Sequence, residues 1–215
     1  MERVTHLLLV RHAETGMAGR FCGHSDPGLN ERGRQQLAGL LNMLSEHAIR
    51  RIYTSDLVRA QQTGETIAEH FGAELHVRPA LREIYFGQWE GLTWNEIEAR
   101  DPAQAKRWAE EYPNSTAPGG ESFQEFEARV RGELTFLVQE ATNFPIAAVA
   151  HAGFIRVALA NGWKVSEEEA RSRTKNYGTF VALDANHIDR AWIENSDSRS
   201  AGADGTLHEL QGAQK

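Results

Sequence analysis

Alternating strand and helix signals along 215 residues predict an α/β fold, a three-layer sandwich with a mostly parallel sheet and helices on both faces. Three observations carry that expectation. Short apolar runs stop abruptly at polar residues, at Val10 before Arg11 and again at Ala150 before His151, as buried parallel strands do. Leucines at helical spacing follow the first run. Boxes of the form Ser/Thr-x-x-Glu open later helices. In such sheets ligands sit beyond the carboxyl ends of the strands, so the residues at those ends become the candidates for chemistry.

Residues 4–10 read as the first strand, which delivers Arg11 and His12 at its end. Asn30 caps a helix to about Glu46, with Leu37, Leu40, Leu41 and Leu44 along one side. Residues 52–54 form a second strand, after which Ser55 and Asp56 cap a helix that carries Arg59 in its first turn and Ile67 and Phe71 on its apolar side. A short strand from Leu75, an extended stretch over 81–86 and a Gly87/Gly91 loop lead to a helix opened by Thr93 and Glu96. Pro102, Pro113 and Ala117-Pro118-Gly119-Gly120 punctuate a middle region, 84–122, that reads as a lid or insertion. Ser122 and Glu125 open a helix to about Thr142, and Pro145 precedes a strand over 146–150 that ends at His151 and runs into a helix with Ile155, Val157 and Leu159. Ser166 and Glu169 suggest a further capping box, and residues 177–183 and 187–193 read as a closing hairpin. Residues 1–195 are expected to form one domain, followed by a polar, poorly ordered tail over 196–215.

A content of 40% hydrophobic and 25% charged residues is that of an ordinary globular chain. With 23 Lys and Arg against 30 Asp and Glu, the net charge of −7 argues against general attraction to nucleic acid or to an anionic membrane. An anion site therefore has to be built locally. Cys22 is single and forms no intrachain disulfide, and no apolar run is of spanning length, so a cytoplasmic protein is expected.

Arg11-His12-Ala13-Glu14-Thr15 sets a nucleophile beside a fixed cation at a strand end, although taken alone it is better read as surface charge around a partly buried histidine. The segment from Ser55 to Thr63 places Arg59 at a helix start, where backbone N–H groups and the helix dipole favour an anion. Ala150-His151-Ala152-Gly153 repeats the strand-to-helix arrangement with a second histidine. These three segments, with Leu81-Arg82-Glu83, occur in an order that resembles the histidine phosphatase superfamily, also called phosphoglycerate mutase-like, over nearly the whole chain apart from the tail.

That resemblance implies a phosphomonoester hydrolase in which His12 attacks phosphorus and becomes a phosphohistidine. Arg11, Arg59 and a protonated His151 would hold the phosphoryl oxygens, and Glu83 would serve as acid and then base, with Glu90 in reserve. Physical chemistry agrees with the division of labour: a phosphate dianion repels nucleophiles until fixed cations follow its oxygens, and the same cations keep a neighbouring imidazole neutral. Thr15, Cys22, Gly23 and Ala152 fall at positions that contact substrate in such proteins. No cofactor and no metal is called for. His6, His24, His47, His70, His76 and His187 lack metal-ligand spacing, and His24 matters only because it lies on the loop after the nucleophile, where Cys22 would be open to modification.

Ala13 stands where the superfamily usually has glycine, and Ala18 where many members have asparagine. Within the superfamily, Gly23-His24-Ser25-Asp26 and the stretch from Glu83 to Glu90 are similar to α-ribazole phosphatase-type and broad-specificity members. The implied partner is a small-molecule phosphate ester, α-ribazole 5′-phosphate or a sugar phosphate, with a homodimer left open. Phosphoglycerate mutase-type transfer and non-catalytic binding of phosphate or a phosphoprotein are the competing readings. Tyr85, Phe86, Trp89, Trp94 and Trp108 read first as core and lid packing and second as a pocket for an apolar leaving group.

Overall fold

In the computed structural model, which describes residues 6–194, the first apolar run becomes strand β1, His6–Arg11. It is followed by α1 (Glu31–Leu44), β2 (Arg51–Thr54), α2 (Val58–Phe71), β3 (Glu74–Val77), α3 (Trp94–Arg100), α4 (Pro102–Glu111), α5 (Phe123–Ala141), β4 (Ile146–Ala150), α6 (Ala152–Val157), α7 (Glu167–Arg173), β5 (Thr179–Asp184) and α8 (Arg190–Glu194). The strands make one sheet in the order β3-β2-β4-β1-β5. Its pairings are parallel except that β5 runs antiparallel to β1. No helix among the described residues is long and apolar enough to cross a membrane.

The period of two in a strand splits the core into two layers. Leu7 and Leu9 of β1 and Ile146, Ala148 and Ala150 of β4 face α5, where Phe126, Val130, Leu134 and Leu137 recur at helical spacing. Leu8, Val10, Ala147 and Val149 face the opposite way, onto Leu40 and Leu44 of α1 and Ala60 and Ile67 of α2. Small alanines in the central β4 let the helices of both layers approach closely. The result is the three-layer arrangement expected from the alternation of elements.

Register decides where the chemistry can lie. Arg11 sits opposite Ala150 across the β1–β4 ladder and opposite Thr179 across the β1–β5 ladder, while Thr54 of β2 sits opposite Val149. The residues that follow β1, β2 and β4 therefore emerge along one edge of the sheet, and the segment entering β5 arrives at that same edge.

The helix starts explain most of the remaining layout. Asn30 accepts from Gly33 N at α1, and full capping boxes form between Thr93 and Glu96 at α3 and between Ser122 and Glu125 at α5. At α7 Ser166 accepts from Glu169 N, but Glu169 pairs with Arg173 rather than returning a bond, so only half of the expected box is made. At α2 neither Ser55 nor Asp56 is the cap. Leu57 holds that position, Asp26 of a distant loop accepts from Val58 N at 2.6 Å, and Asp56 is engaged by Arg82 instead.

The expected closing hairpin is half right. Residues 179–184 form the edge strand, but the second half is a 3-10 turn over Ala185–His187 followed by α8. The reason is that Ile188, Trp192 and Ile193 recur at helical rather than alternating spacing and pack onto the α5 layer. Asp189 accepts from Ala191 N, and the Trp192 indole donates to Glu127. The expected tail at 196–215 lies outside the described residues.

Residues between 86 and 117 make a satellite core of their own. Trp89, Ile97, Ala105 and Ala117 are buried there, with Phe86, Leu92, Trp94 and Trp108 packed around them, and Phe21 reaches in from the loop after β1. Phe21 meets Phe86 edge to face at 4.9 Å between centroids, a favoured aromatic geometry.

Because Leu134 is fully buried in the α5 layer and distant in sequence from the polar edge, Leu134→Ala should cost about 2–5 kcal/mol. A lower midpoint in urea unfolding, without change in the far-ultraviolet circular dichroism of the folded protein, is the expected result.

Candidate active site

His12 is the first residue beyond β1, and its main chain is held on both sides. Its N–H donates to Ala150 O at 3.1 Å and its carbonyl accepts from Gly178 N at 3.2 Å. The ring orientation follows from one further contact: Nδ1 lies 2.7 Å from Ala13 O. A carbonyl oxygen can only accept, so Nδ1 carries the hydrogen and the lone pair resides on Nε2. Arg59 Nε donates to that nitrogen at 3.2 Å. Burial, then Arg59, and more weakly Arg11 depress the imidazole to a pKa of about 3, against a smaller opposing effect of the Ala13 bond. His12 is thus a neutral histidine at ordinary pH, with its hydrogen on Nδ1.

Arg59, in the first turn of α2, is completely buried. Its two terminal nitrogens donate to the carbonyls of Ser25 (2.7 Å), Gly23 (2.7 Å) and Cys22 (3.2 Å). These carbonyls solvate the guanidinium without neutralising it. Arg11 is held in the same fashion, its Nη1 donating to Thr174 O at 2.6 Å and Lys175 O at 2.9 Å, while its plane lies 3.7 Å over the Tyr177 ring. Burial is the main influence lowering its pKa. The Arg11 Nε donor is buried with no partner.

His151 follows β4, 1% exposed, with its ring 5.0 Å from that of His12 and neither ring nitrogen hydrogen-bonded. Burial first, then Arg59, His12 and Arg11, push its pKa well below the usual histidine range. Without a ligand the ring is held neutral, because burial beside two guanidiniums disfavours a further charge. Unpaired buried donors cost about 1–3 kcal/mol each, so two such residues side by side at one sheet edge describe a site whose polar groups are left for a ligand.

Glu83, 8% exposed, comes to the same place from the loop after β3. Its Oε1 accepts from Ile84 N at 3.0 Å and its Oε2 from Gly153 N at 2.8 Å. A Cβ on Gly153 would lie 2.1 Å from Glu83 Oε1, so glycine at that position is what lets the carboxylate reach the start of α6. The main chain of residues 80–83 is clamped by Arg129 of α5, which donates to the carbonyls of Ala80, Arg82 and Glu83 while its guanidinium pairs with Glu121. His24 Nε2 also donates to Glu83 O, at 3.1 Å.

Glu90 is excluded as a reserve acid. Its carboxylate receives Gly23 N, His24 N, Ser25 N, Ser25 Oγ and Phe86 N. Burial alone would raise its pKa, yet the bonds from the Ser25 hydroxyl and the backbone together hold it below the ordinary carboxylate value. Cys22 lines the cleft, and burial raises the pKa of its half-buried thiol, which lowers its thiolate fraction.

A cleft of about 1020 Å³ opens over these groups, with Arg11, His12, Thr15, Cys22, Glu83 and Ala152 among the residues lining it. Arg59, His151 and Gly23 lie behind this lining, so the buried charge reaches the cleft past His12. One wall is aromatic, formed by Tyr85, Phe86, Trp94, Trp108 and Tyr112, whereas Trp89 is confined to the satellite core. Sequence reasoning missed Tyr177, Arg156 and Arg129. No motif contains Tyr177; only knowledge that β5 runs antiparallel would have placed it beside Arg11. Arg156 lies one helical turn beyond Ala152 on the α6 face that meets the cleft, a spacing that could have flagged it.

A neutral imidazole whose Nε2 carries no hydrogen, two guanidiniums, a second imidazole and a carboxyl group at or just behind one cleft can together accept a phosphoryl group and exchange a proton with what leaves it. Comparison with known proteins agrees. Residues 7–194 match the profile of the histidine phosphatase superfamily (branch 1). A bifunctional protein of Mycobacterium tuberculosis is 35% identical over 158 residues, covering 72% of this chain but 43% of that protein, so the chain spans less than half the length of that relative. The adenosylcobalamin/alpha-ribazole phosphatase of Salmonella typhimurium is 31% identical over 156 residues, covering 72% of this chain and 77% of that protein. The solved structure of an alpha-ribazole phosphatase from Shigella flexneri superposes with a TM-score of 0.74 at 26% identity, covering 83% of this chain and 90% of that one.

The depressed His12 pKa has a consequence for stability. Between pH about 6.5 and about 3 the unfolded chain binds a proton at His12 that the folded protein does not, so stability is full above that window and falls as pH is lowered through it. His12→Asn should flatten the urea midpoint over this range relative to the parent. Nitrogen-detected NMR should show the parent His12 as the Nδ1-H tautomer without titration near pH 6.5.

Proposed function

The chain belongs to branch 1 of the histidine phosphatase superfamily, and from that premise we propose that it hydrolyses a small-molecule phosphate monoester through a phosphohistidine at His12. The observation that carries this reading is the Nδ1 bond to Ala13 O, which leaves Nε2 unprotonated and facing the buried Arg59 guanidinium. In the first step the Nε2 lone pair forms a bond to phosphorus as the ester P–O bond breaks, and the departing oxygen takes a proton from Glu83. In the second, water attacks phosphorus, its proton passes to Glu83, and the N–P bond breaks to release inorganic phosphate.

In this scheme Arg11 and His151 hold the phosphoryl oxygens, while Arg59, its donors committed to His12 and the loop carbonyls, contributes its charge. Arg11 Nε and the His151 nitrogens are the donors left over for that purpose, and a dianion beside His151 supplies the negative charge that an imidazolium there requires. The guanidiniums follow the charge that develops on the equatorial oxygens, the task a divalent ion performs in other phosphatases. The aromatic wall supports an organic leaving group with an apolar face, for which α-ribazole 5′-phosphate and sugar phosphates are the candidates, and residues 84–122 act as the lid over it. A cytoplasmic location belongs to the same reading, on the strength of the single Cys22 and the acidic composition.

Hydrolysis of p-nitrophenyl phosphate should persist in EDTA and be abolished by His12→Ala; substantial turnover by that variant would overturn the mechanism. Glu83→Gln should slow an alkyl phosphate by about 10²–10⁴-fold and the nitrophenyl ester less, since nitrophenolate departs without a proton. Steady-state kcat values on the two esters check this.

A further inference from the structure

Glu90 is a carboxylate with no free capacity for proton transfer, and its five donors come from two separate segments. Gly23, His24 and Ser25 belong to the loop that follows β1, while Phe86 belongs to the satellite core. The loop thus wraps the carboxylate with its N–H groups pointing inward at Glu90. Its carbonyls point the other way: those of Cys22, Gly23 and Ser25 are the acceptors for both terminal nitrogens of Arg59. A peptide unit whose N–H is fixed has its neighbouring carbonyls fixed as well, because each residue has only two soft dihedral angles.

We infer that Glu90 is a positioning residue for the His12–Arg59 pair, acting through the loop of residues 22–25, an inference that rests on the proposed phosphatase mechanism for its effect on turnover. Two further features of the loop support it. A Cβ on Gly23 would stand 2.1 Å from Ile84 O and 2.4 Å from Glu90 Oε1, so the wrapping is close enough to demand glycine. The same loop is also tied to the far end of the Glu90 turn, with Phe21 N donating to Leu92 O and Gly91 N to Phe21 O, both at 2.8 Å. Next to Glu90, Trp89 is buried in the aromatic cluster and anchors the turn. The position of the satellite core is therefore relayed, through Glu90 and three carbonyls, to the guanidinium against the nucleophile.

Loss of the carboxylate should loosen Arg59 and so change the charge environment of His12. That ring is faced by Arg59 from α2, Arg11 from β1, His151 after β4 and Tyr177 before β5, and of these Arg59 touches Nε2 itself. Glu90→Gln keeps the shape but puts an amide NH₂ among N–H donors, which repels part of the loop.

The test is to measure, for the full chain and for Glu90→Gln, the His12 titration by NMR together with kcat and KM over pH. The expected result is a rise of about one pH unit or more in the His12 protonation midpoint and in the acid limb of kcat/KM, with kcat down on the order of 10²-fold. Wild-type titration of His12 in a folded Glu90→Gln protein overturns the inference, whether or not activity is lost, since a merely structural role would not move it. If Glu90→Gln does not fold, Ser25→Ala removes one donor at 2.6 Å while keeping the Ser25 carbonyl, and the same readouts decide, with a smaller shift in the same direction supporting the inference and none overturning it. The His12 titration is independent of turnover, so activity surviving in His12→Ala would defeat the phosphatase reading alone.

Discussion

A buried guanidinium donating to a neutral imidazole, Arg59 to His12, is the contact around which the rest of the structure is arranged. Burying an arginine without a carboxylate is expensive unless every donor finds an oxygen or a lone pair. Here the acceptors are three loop carbonyls and His12 itself, an arrangement that keeps the positive charge available to a ligand. A carboxylate in their place would stabilise the free protein and cancel the field that both depresses His12 and attracts a dianion. The loop of residues 22–25 must therefore be held with its carbonyls toward Arg59, which explains why a glycine, a five-donor carboxylate and an aromatic anchor meet there.

The sheet makes that contact possible. Parallel register brings His12 and His151 to the same edge on adjacent strands, and α2 returns from β2 so that Arg59 reaches His12 Nε2. The antiparallel β5 contributes differently. Because its chain enters at the edge where the parallel strands leave, the segment before it supplies Thr174 O and Lys175 O to Arg11, the Tyr177 ring beneath that guanidinium, and Gly178 N to the His12 carbonyl. A fifth parallel strand would have brought its entering segment to the opposite edge and left Arg11 without these acceptors.

Much of this was legible from residue order. Apolar runs that stop at Arg11, Thr54 and His151 locate the edge, and helix caps at Asn30, Thr93 and Ser122 are local interactions that sequence spacing captures directly. What was not legible depended on contacts distant in sequence. Asp56 looks like a cap but is taken by Arg82, while Asp26 caps α2 from a loop 32 positions away. Residues 187–193 have a composition that suits strand or helix, and only packing of Ile188 and Trp192 onto α5 decides for helix. The charge state of His151 depends on how dry its pocket is, and the exclusion of Glu90 depends on five donors converging from two loops, neither of which a linear pattern records.

The two halves of the site also answer to different constraints. Charge recognition is built at the edge of the main sheet from groups whose positions are fixed by ladder register and buried hydrogen bonds, so it varies little without loss of the fold. The wall facing a leaving group comes from the satellite core of residues between 86 and 117, whose aromatic side chains pack mainly on one another and on Phe21. Glu90 and the two main-chain ties of Phe21 join that wall to the loop whose carbonyls face Arg59. On the proposed mechanism a fold divided in this way keeps one reaction while changing its ester, and the join between the halves is the point at which the aromatic wall and the state of His12 are physically connected.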